Sequence, residues 1–381
     1  MAFEHYIQSA GKLLRCGYTT GTCAALAAAG AAELLLTGKA PAALALTTPK
    51  GLRVETEPVF CLLEGTTARC AVEKDGGDDA DVTNGIRIEA QVVRTEQPGV
   101  RVEGGSGVGR VTRPGLDQPV GAAAINRVPR RMIETQVAAV CRAHQWEGGM
   151  QVTICVPDGE TLAKKTFNPQ LGIEGGISIL GTSGIVEPMS VQALIDTVAL
   201  SLRQARAQGA QRVVLTPGNY GEDFLRAGSL FQASVPVVKC SNFIGDALDE
   251  AASLGFQDVL LVGHAGKLVK LAGGIMNTHS RWADCRTELF CAHAAVCGAP
   301  PSLCTALMNA ATSDACIALL DEQGLRGPVL ESLLKAIQHH LLRRAAGVYR
   351  AGAVLFTNAY GLLGQTSVAG DMLADWKETE Q

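Results

Sequence analysis

Four times in the second half of the chain a short, largely apolar run ends in a glycine- or asparagine-bearing turn and then gives way to a helical pattern. Residues 213–215 lead into Thr216-Pro-Gly-Asn-Tyr-Gly221, residues 235–239 into Ser241-Asn-Phe-Ile-Gly245, residues 259–262 into Gly263-His-Ala-Gly-Lys267, and residues 354–356 into Thr357-Asn-Ala-Tyr-Gly361. Alternation of this kind implies right-handed βαβ units, because parallel neighbours can be joined only by a long crossover. It predicts an α/β domain with a mainly parallel, Rossmann-like sheet whose turns all meet at the carboxyl edge, where such sheets present polar groups to ligands. The richest turn runs on through residues 263–280. In it, His264 and His279 titrate nearest neutral pH and are the candidates for proton transfer.

The first half reads differently, as an α+β domain. Residues 22–36 are rich in Ala and Leu and predict a helix, while 52–63, 68–74 and 86–94 alternate or carry β-branched residues and predict strands. The acidic stretch Asp75-Gly-Gly-Asp-Asp-Ala-Asp81 lacks the Glu that closes an EF-hand loop, and a solvated turn is expected. The domain boundary is placed near residue 172, giving domains 1–172 and 173–381.

A hydrophobic fraction of 47% over 381 residues supports packed cores. The least charged run, 16–36, is interrupted by Gly17, Thr19, Thr20, Gly21 and Glu33, so a buried helix is expected and no membrane span. The N-terminus shows no secretory signal, which predicts a cytoplasmic protein. A net charge of −4 and an aromatic content of 4% argue against a nucleic-acid partner. The twelve cysteines include no Cys-x-x-Cys pair, and Cys285, Cys291, Cys297 and Cys304 are too widely spaced for a structural zinc site. Reduced core thiols and no protein metal site are expected.

Several catalytic motifs fail on context. Gly263 to Lys267 has too short a glycine spacing for a phosphate loop, and Leu268 stands where a magnesium-binding hydroxyl belongs. Gly105-Ser-Gly-Val-Gly109 is followed by Val111, Thr112 and Pro114 rather than a helix, so a glycine turn is expected and not a dinucleotide fingerprint. No Gly-x-Ser-x-Gly elbow is present. Three sets remain as candidates for holding an anion. Arg110, Arg113, Arg127, Arg130 and Arg131 form either a carboxylate pocket or a basic face. Thr19, Thr20 and Thr22 precede a helix and either cap it or receive an anion. Lys164 and Lys165 are anion ligands or surface charges.

Taken in order, Cys16-Gly-Tyr-Thr-Thr-Gly-Thr-Cys-Ala-Ala25, Val120-Gly-Ala-Ala-Ala-Ile-Asn126, Lys164-Lys-Thr-Phe-Asn-Pro169, Gly175-Gly-Ile-Ser-Ile-Leu-Gly-Thr-Ser-Gly-Ile-Val-Glu-Pro-Met189 and the loops at 216, 241 and 263 resemble the CbiD family. The resemblance runs from about residue 14 to 295. It implies methylation of ring carbon 1 of cobalt-precorrin-5B in anaerobic cobalamin synthesis, with S-adenosylmethionine as donor and a cobalt that belongs to the substrate. On that basis Thr216, Gly218, Asn219, Tyr220, Ser241, Asn242, Gly263 and Gly266 are expected at the donor. Thr19, Thr20, Thr22, Arg113, Arg130, Lys165 and Lys267 are expected at the carboxylates of the cobalt-corrinoid. A homo-oligomer and transient contact with neighbouring pathway enzymes are compatible with this reading. Two alternatives stand beside it, a nucleotide-dependent tetrapyrrole oxidoreductase and a non-catalytic tetrapyrrole carrier.

Overall fold

The computed structural model describes residues 3–9, 12–166, 168–169, 171–188, 190–227 and 235–378. Phe167 and Met189 of the motifs quoted above lie outside them. The chain forms two compact units, Met1–Val191 and Gln192–Gln381. The division falls later than residue 172 because three two-residue strands after that point pair back into the first unit. Ile173–Glu174 pairs with Arg110–Val111, Gly176–Ile177 with Gly107–Val108, and Ile185–Val186 with Gly17–Tyr18.

In the first unit Thr20–Thr37 (α1) and Arg127–Ala143 (α2) pack on a five-stranded sheet. Its strands are Phe60–Glu64 (β1), Thr67–Glu73 (β2), Arg87–Thr95 (β3), Gly99–Gly104 (β4) and Gly149–Cys155 (β5), in the order β1-β2-β3-β5-β4, antiparallel except for β5 beside β4. The small residues of α1 let it lie close to the strands. A β-carbon on Gly30 would stand 2.8 Å from Cys70 Sγ of β2. By length and composition α1 could cross a membrane, but 78% of it is buried inside the unit.

Two expectations need correction here. Residues 52–63 form two strands, Arg53–Thr56 and β1, with Pro58 between them where a strand would need an N–H. The acidic turn is docked rather than solvated. Asp75 accepts from both terminal nitrogens of Arg15 at 2.5 and 2.8 Å, and Asp81 pairs with the buried ammonium of Lys74 at 2.9 Å.

In the second unit the strands are Arg212–Thr216 (β6), Val237–Lys239 (β7), Asp258–His264 (β8), Arg350–Thr357 (β9) and Gly361–Gln365 (β10), ordered β7-β6-β8-β9-β10. The first four are parallel, and β10 closes one edge antiparallel to β9. Alternate residues serve two cores. Val213, Leu215, Val259, Leu261, Ala351 and Ala353 face one way, while Val214, Leu260, Val262, Val354 and Phe356 face the other. Burial on both sides is why these strands read as unbroken apolar runs. The first core is covered by Val191–Ala207 (α3), Ile244–Ser253 (α5) and Arg326–Ala345 (α10), and the second by Asn219–Ala227 (α4) and Ser367–Glu378 (α11). Between α5 and α10 the chain forms Ala265–Leu268 (α6), Arg286–Val296 (α7), Pro301–Met308 (α8) and Ser313–Glu322 (α9). Cys285, Cys291, Cys297 and Cys304 are only partly buried around α7 and α8, so they are not the enclosed core thiols expected.

Candidate functional site

The strand order of the second unit reverses between β6 and β8, since β6 leads outward to β7 while β8 leads the other way to β9. At such a point the loops from the two strands diverge and open a crevice at the carboxyl edge. Thr216 ends β6 and His264 ends β8. Glycine is required nearby for close approach. A β-carbon on Gly221 would lie 2.9 Å from the Val262 carbonyl, and one on Gly263 would lie 3.0 Å from Pro217 Cδ. Lys267 crosses the crevice mouth and donates to the Pro217 carbonyl at 2.6 Å, with burial pushing its ammonium below the ordinary lysine value.

His264 caps α6. Its backbone is extended, and its Nδ1 accepts from the Gly266 N–H at 3.1 Å. That bond leaves the proton of the neutral ring on Nε2. The ring lies 6.2 Å from Tyr220 and meets the ring of Phe356 edge-on at 5.9 Å. Burial lowers its pKa from 6.5, opposed by the Asp314 carboxylate. Imidazole rather than imidazolium therefore faces the edge. Tyr220 is 62% exposed.

The loop after β7 has a different task. Ser241 takes a positive φ of 52°, and Asn242 holds the far end of the 263–280 segment by accepting from both the backbone N–H of Thr278 at 3.0 Å and its hydroxyl at 3.2 Å. His279 follows Thr278, is exposed, and accepts from the Arg281 N–H at 3.0 Å. It thus sits beside the stretch tied to the loop after β7, whereas His264 ends β8.

In the first unit the three threonines knit the start of α1 to the 178–184 loop. Thr19 Oγ1 accepts from the Thr22 N–H, Thr20 Oγ1 accepts from the Leu180 N–H at 2.9 Å, and Thr22 donates to the Gly184 carbonyl at 2.7 Å. All three are buried. Their hydroxyls are engaged by the fold, which favours capping over ligand contact. The start of α2 lies alongside, since a β-carbon on Gly21 would stand 2.7 Å from Pro129 Cγ. Arg130, one turn into α2, donates to the Val102 carbonyl and keeps a buried Nε without a partner. Arg110 pairs with Glu103 at 2.8 Å. Arg113 and Lys165 are exposed, and the Arg113 stem packs over Gly172. The five arginines are therefore divided between a strand, a loop and one helix.

Ser313 and Asp314, at the start of α9, approach the β8 loop and did not emerge from the sequence. Among the described residues no group of three or more His, Cys, Asp or Glu side chains is arranged to hold a metal.

Comparison with known proteins gives a consistent result. Family models described as CbiD and as CbiD, C-terminal domain, match residues 7–188 and 277–367. The likeness therefore continues well past residue 295, where the motifs had faded. The cobalt-precorrin-5B C(1)-methyltransferase of Ruminiclostridium cellulolyticum is 47% identical over 93% of this chain and 92% of its own. That of Alkaliphilus metalliredigens is 41% identical over 97% of each. A solved cobalamin biosynthesis protein (cbiD) from Archaeoglobus fulgidus is 33% identical, covering 72% of this chain and 86% of its own, with a TM-score of 0.40. With this identity sustained along nearly its whole length, the chain belongs to the CbiD family.

Proposed function

We propose that the protein methylates C-1 of cobalt-precorrin-5B, using S-adenosylmethionine and yielding cobalt-precorrin-6A, in the cytoplasm. The observation that carries this is the 47% identity over 93% of the chain to a relative named for that reaction. The second unit supports a nucleoside-bearing donor. Its four parallel strands β7-β6-β8-β9 follow the 2-1-3-4 order of a doubly wound sheet, with β10 antiparallel at one edge, an arrangement that fits a Rossmann-like reading. The crevice at the reversal is bounded by Thr216, Gly218, Tyr220, Gly263, His264 and Gly266, and the buried Thr216 hydroxyl has no protein partner. Such an atom fits a site that a polar ligand completes.

The bound donor supplies an electrophilic methyl for an electron-rich ring carbon. The protein's own tasks are to orient the reactants and to exclude water. Tyr220 provides a stacking face, His264 Nε2–H a neutral donor, and Lys267 a cation that also fixes the Pro217 loop. Asn219 lies at the crevice margin, and Asn242, preceded by Ser241, holds the far end of the 263–280 segment in place. For the carboxylates of the cobalt-corrinoid we assign Arg113, Arg130 and Lys165, with Thr19, Thr20 and Thr22 holding the helix start near Arg130 in place. Cobalt arrives with the substrate.

Isothermal titration with S-adenosylhomocysteine, with NADH and ATP as controls, tests the donor reading. Selective binding of the homocysteine, followed by single-turnover methylation of cobalt-precorrin-5B, is expected. Corrinoid binding without donor binding or methylation would replace the enzyme with a carrier, and selective NADH binding would replace it with an oxidoreductase.

A further inference from the structure

The first turn of α9 carries two polar atoms that the fold leaves without partners. Ser313 is 3% exposed and its hydroxyl makes no hydrogen bond, and the buried Oδ1 of Asp314 makes none either. Neither is needed to cap the helix, because Thr312 Oγ1 already accepts from the Ala315 N–H at 3.1 Å. Both residues lie toward the crevice. Ser313 Oγ is 3.7 Å from the place a β-carbon of Gly266 would occupy, so the hydroxyl faces bare backbone at the start of α6. The Asp314 carboxylate is near enough to His264 to act on its ring. Leaving a buried hydroxyl or carboxylate oxygen unpaired forfeits the hydrogen bonds that water gave it in the unfolded chain. A bound ligand that pairs with both replaces them.

We infer that Asp314 and Ser313 bind the ribose of the methyl donor, Asp314 accepting through Oδ1 from one of the vicinal hydroxyls and Ser313 pairing with the other. This rests on the donor reading above. An ionised carboxylate only accepts, so it selects a ligand that presents hydroxyl or ammonium donors and repels a phosphate or carboxylate. A hydroxyl at Ser313 can donate or accept, which matches the second member of a diol. The absence of a side chain at Gly266 keeps a methyl group away from the Ser313 hydroxyl and the His264 ring. The same carboxylate would exclude nucleotides phosphorylated on the ribose, since like charges would meet in a partly desolvated site. The pair would then be both a binding element and a specificity filter.

The test is isothermal titration of the full chain with S-adenosylhomocysteine, with 5′-methylthioadenosine, which lacks the amino acid, and with the 2′-deoxy and 3′-deoxy forms of the latter. We expect the wild type to bind one or both deoxy forms about 10- to 100-fold more weakly than 5′-methylthioadenosine, the range for losing a hydrogen bond to a charged group. Asp314→Asn should weaken 5′-methylthioadenosine and S-adenosylhomocysteine alike and bind the deoxy forms no worse than the parent. Ser313→Ala should show a smaller loss. The comparison of ligands on the wild type needs no variant, so misfolding of Asp314→Asn cannot obscure it. If the wild type does not distinguish deoxy from parent ligand, the ribose assignment is overturned while the donor reading stands. If Asp314→Asn loses only S-adenosylhomocysteine, the carboxylate serves the donor's ammonium and the assignment is again overturned. If the wild type binds none of these nucleosides, the donor reading fails and the assignment falls with it.

Discussion

Lys267 Nζ donates to the carbonyl oxygen of Pro217 at 2.6 Å, so a side chain from the loop after β8 fixes the loop after β6 across the point where the strand order reverses. Removal of this bond should act on ligand affinity more than on the fold, because the lysine is half-buried and the apolar cores lie beneath it.

Lys267→Met is therefore expected to weaken S-adenosylhomocysteine binding about tenfold, with global stability lowered by only about 1 kcal/mol. Titration calorimetry and urea unfolding on the same preparation separate the two effects. An unchanged affinity would remove Lys267 from the donor site.

The threonines at the start of α1 should behave as fold elements. Thr22→Val keeps the shape but removes one of the two donors to the buried Gly184 carbonyl, which retains the Thr19 N–H at 3.1 Å, at a cost of about 1 kcal/mol. Binding of a cobalt-corrinoid should be retained. Arg130→Gln should instead weaken that binding about tenfold if its guanidinium meets a ring carboxylate. The reverse pattern would return the threonines to the substrate.

How far these roles could be read from residues alone depended on local pattern. The parallel sheet was legible because residues 213–215, 259–262 and 354–356 are buried on both faces and so appear as apolar runs before glycine turns. The end of the first unit was not, because the strands at 173–174, 176–177 and 185–186 are two residues long and hold no period. Thr19, Thr20 and Thr22 carried a legible capping signal but no indication that the 178–184 loop would occupy their hydroxyls. Ser313 and Asp314 were invisible as site residues because they begin a helix that follows no strand. Their only signature, Thr312-Ser-Asp before an apolar pattern, is that of an ordinary helix cap.

Asp258 anchors the opposite edge of the same sheet. Its carboxylate accepts from Arg350 at 2.7 and 2.9 Å and from Trp376 Nε1 at 2.8 Å, with Arg212 at 3.8 Å. Burial alone would raise its pKa, but the hydrogen bonds from Arg350 and Trp376 bring it below the ordinary value. A carboxyl held low in the fold stabilises above the unfolded value of about pH 4 and loses that contribution as pH falls through the folded value. Asp258→Asn should cost about 2–3 kcal/mol at neutral pH, and Trp376→Phe, which removes one bond and part of a fully buried ring, about 2 kcal/mol or more. Urea unfolding should show the wild type and Asp258→Asn converging as the medium is acidified below about pH 4. Parallel pH profiles would mean that the ion pair contributes nothing.

His264 decides whether the reaction uses a protein base. Its Nδ1 is committed to the Gly266 N–H, and burial holds the ring neutral, so the edge sees an Nε2–H that can donate but cannot accept a proton. A lowered histidine pKa also means that the stability this ring contributes is present above the ordinary value of about 6.5 and is lost as pH falls through the lowered one. His264→Gln preserves a terminal N–H donor, and His264→Asn preserves an oxygen placed to accept from Gly266. With methyl transfer needing orientation rather than deprotonation, His264→Gln should keep most of the single-turnover rate, and the wild-type rate should be flat between about pH 7 and 8. A general base would show the opposite, a loss of about 100-fold or more in both variants and a rate that follows the titration of the imidazole. Only that second outcome would place proton transfer, rather than hydrogen-bond donation, at the end of β8.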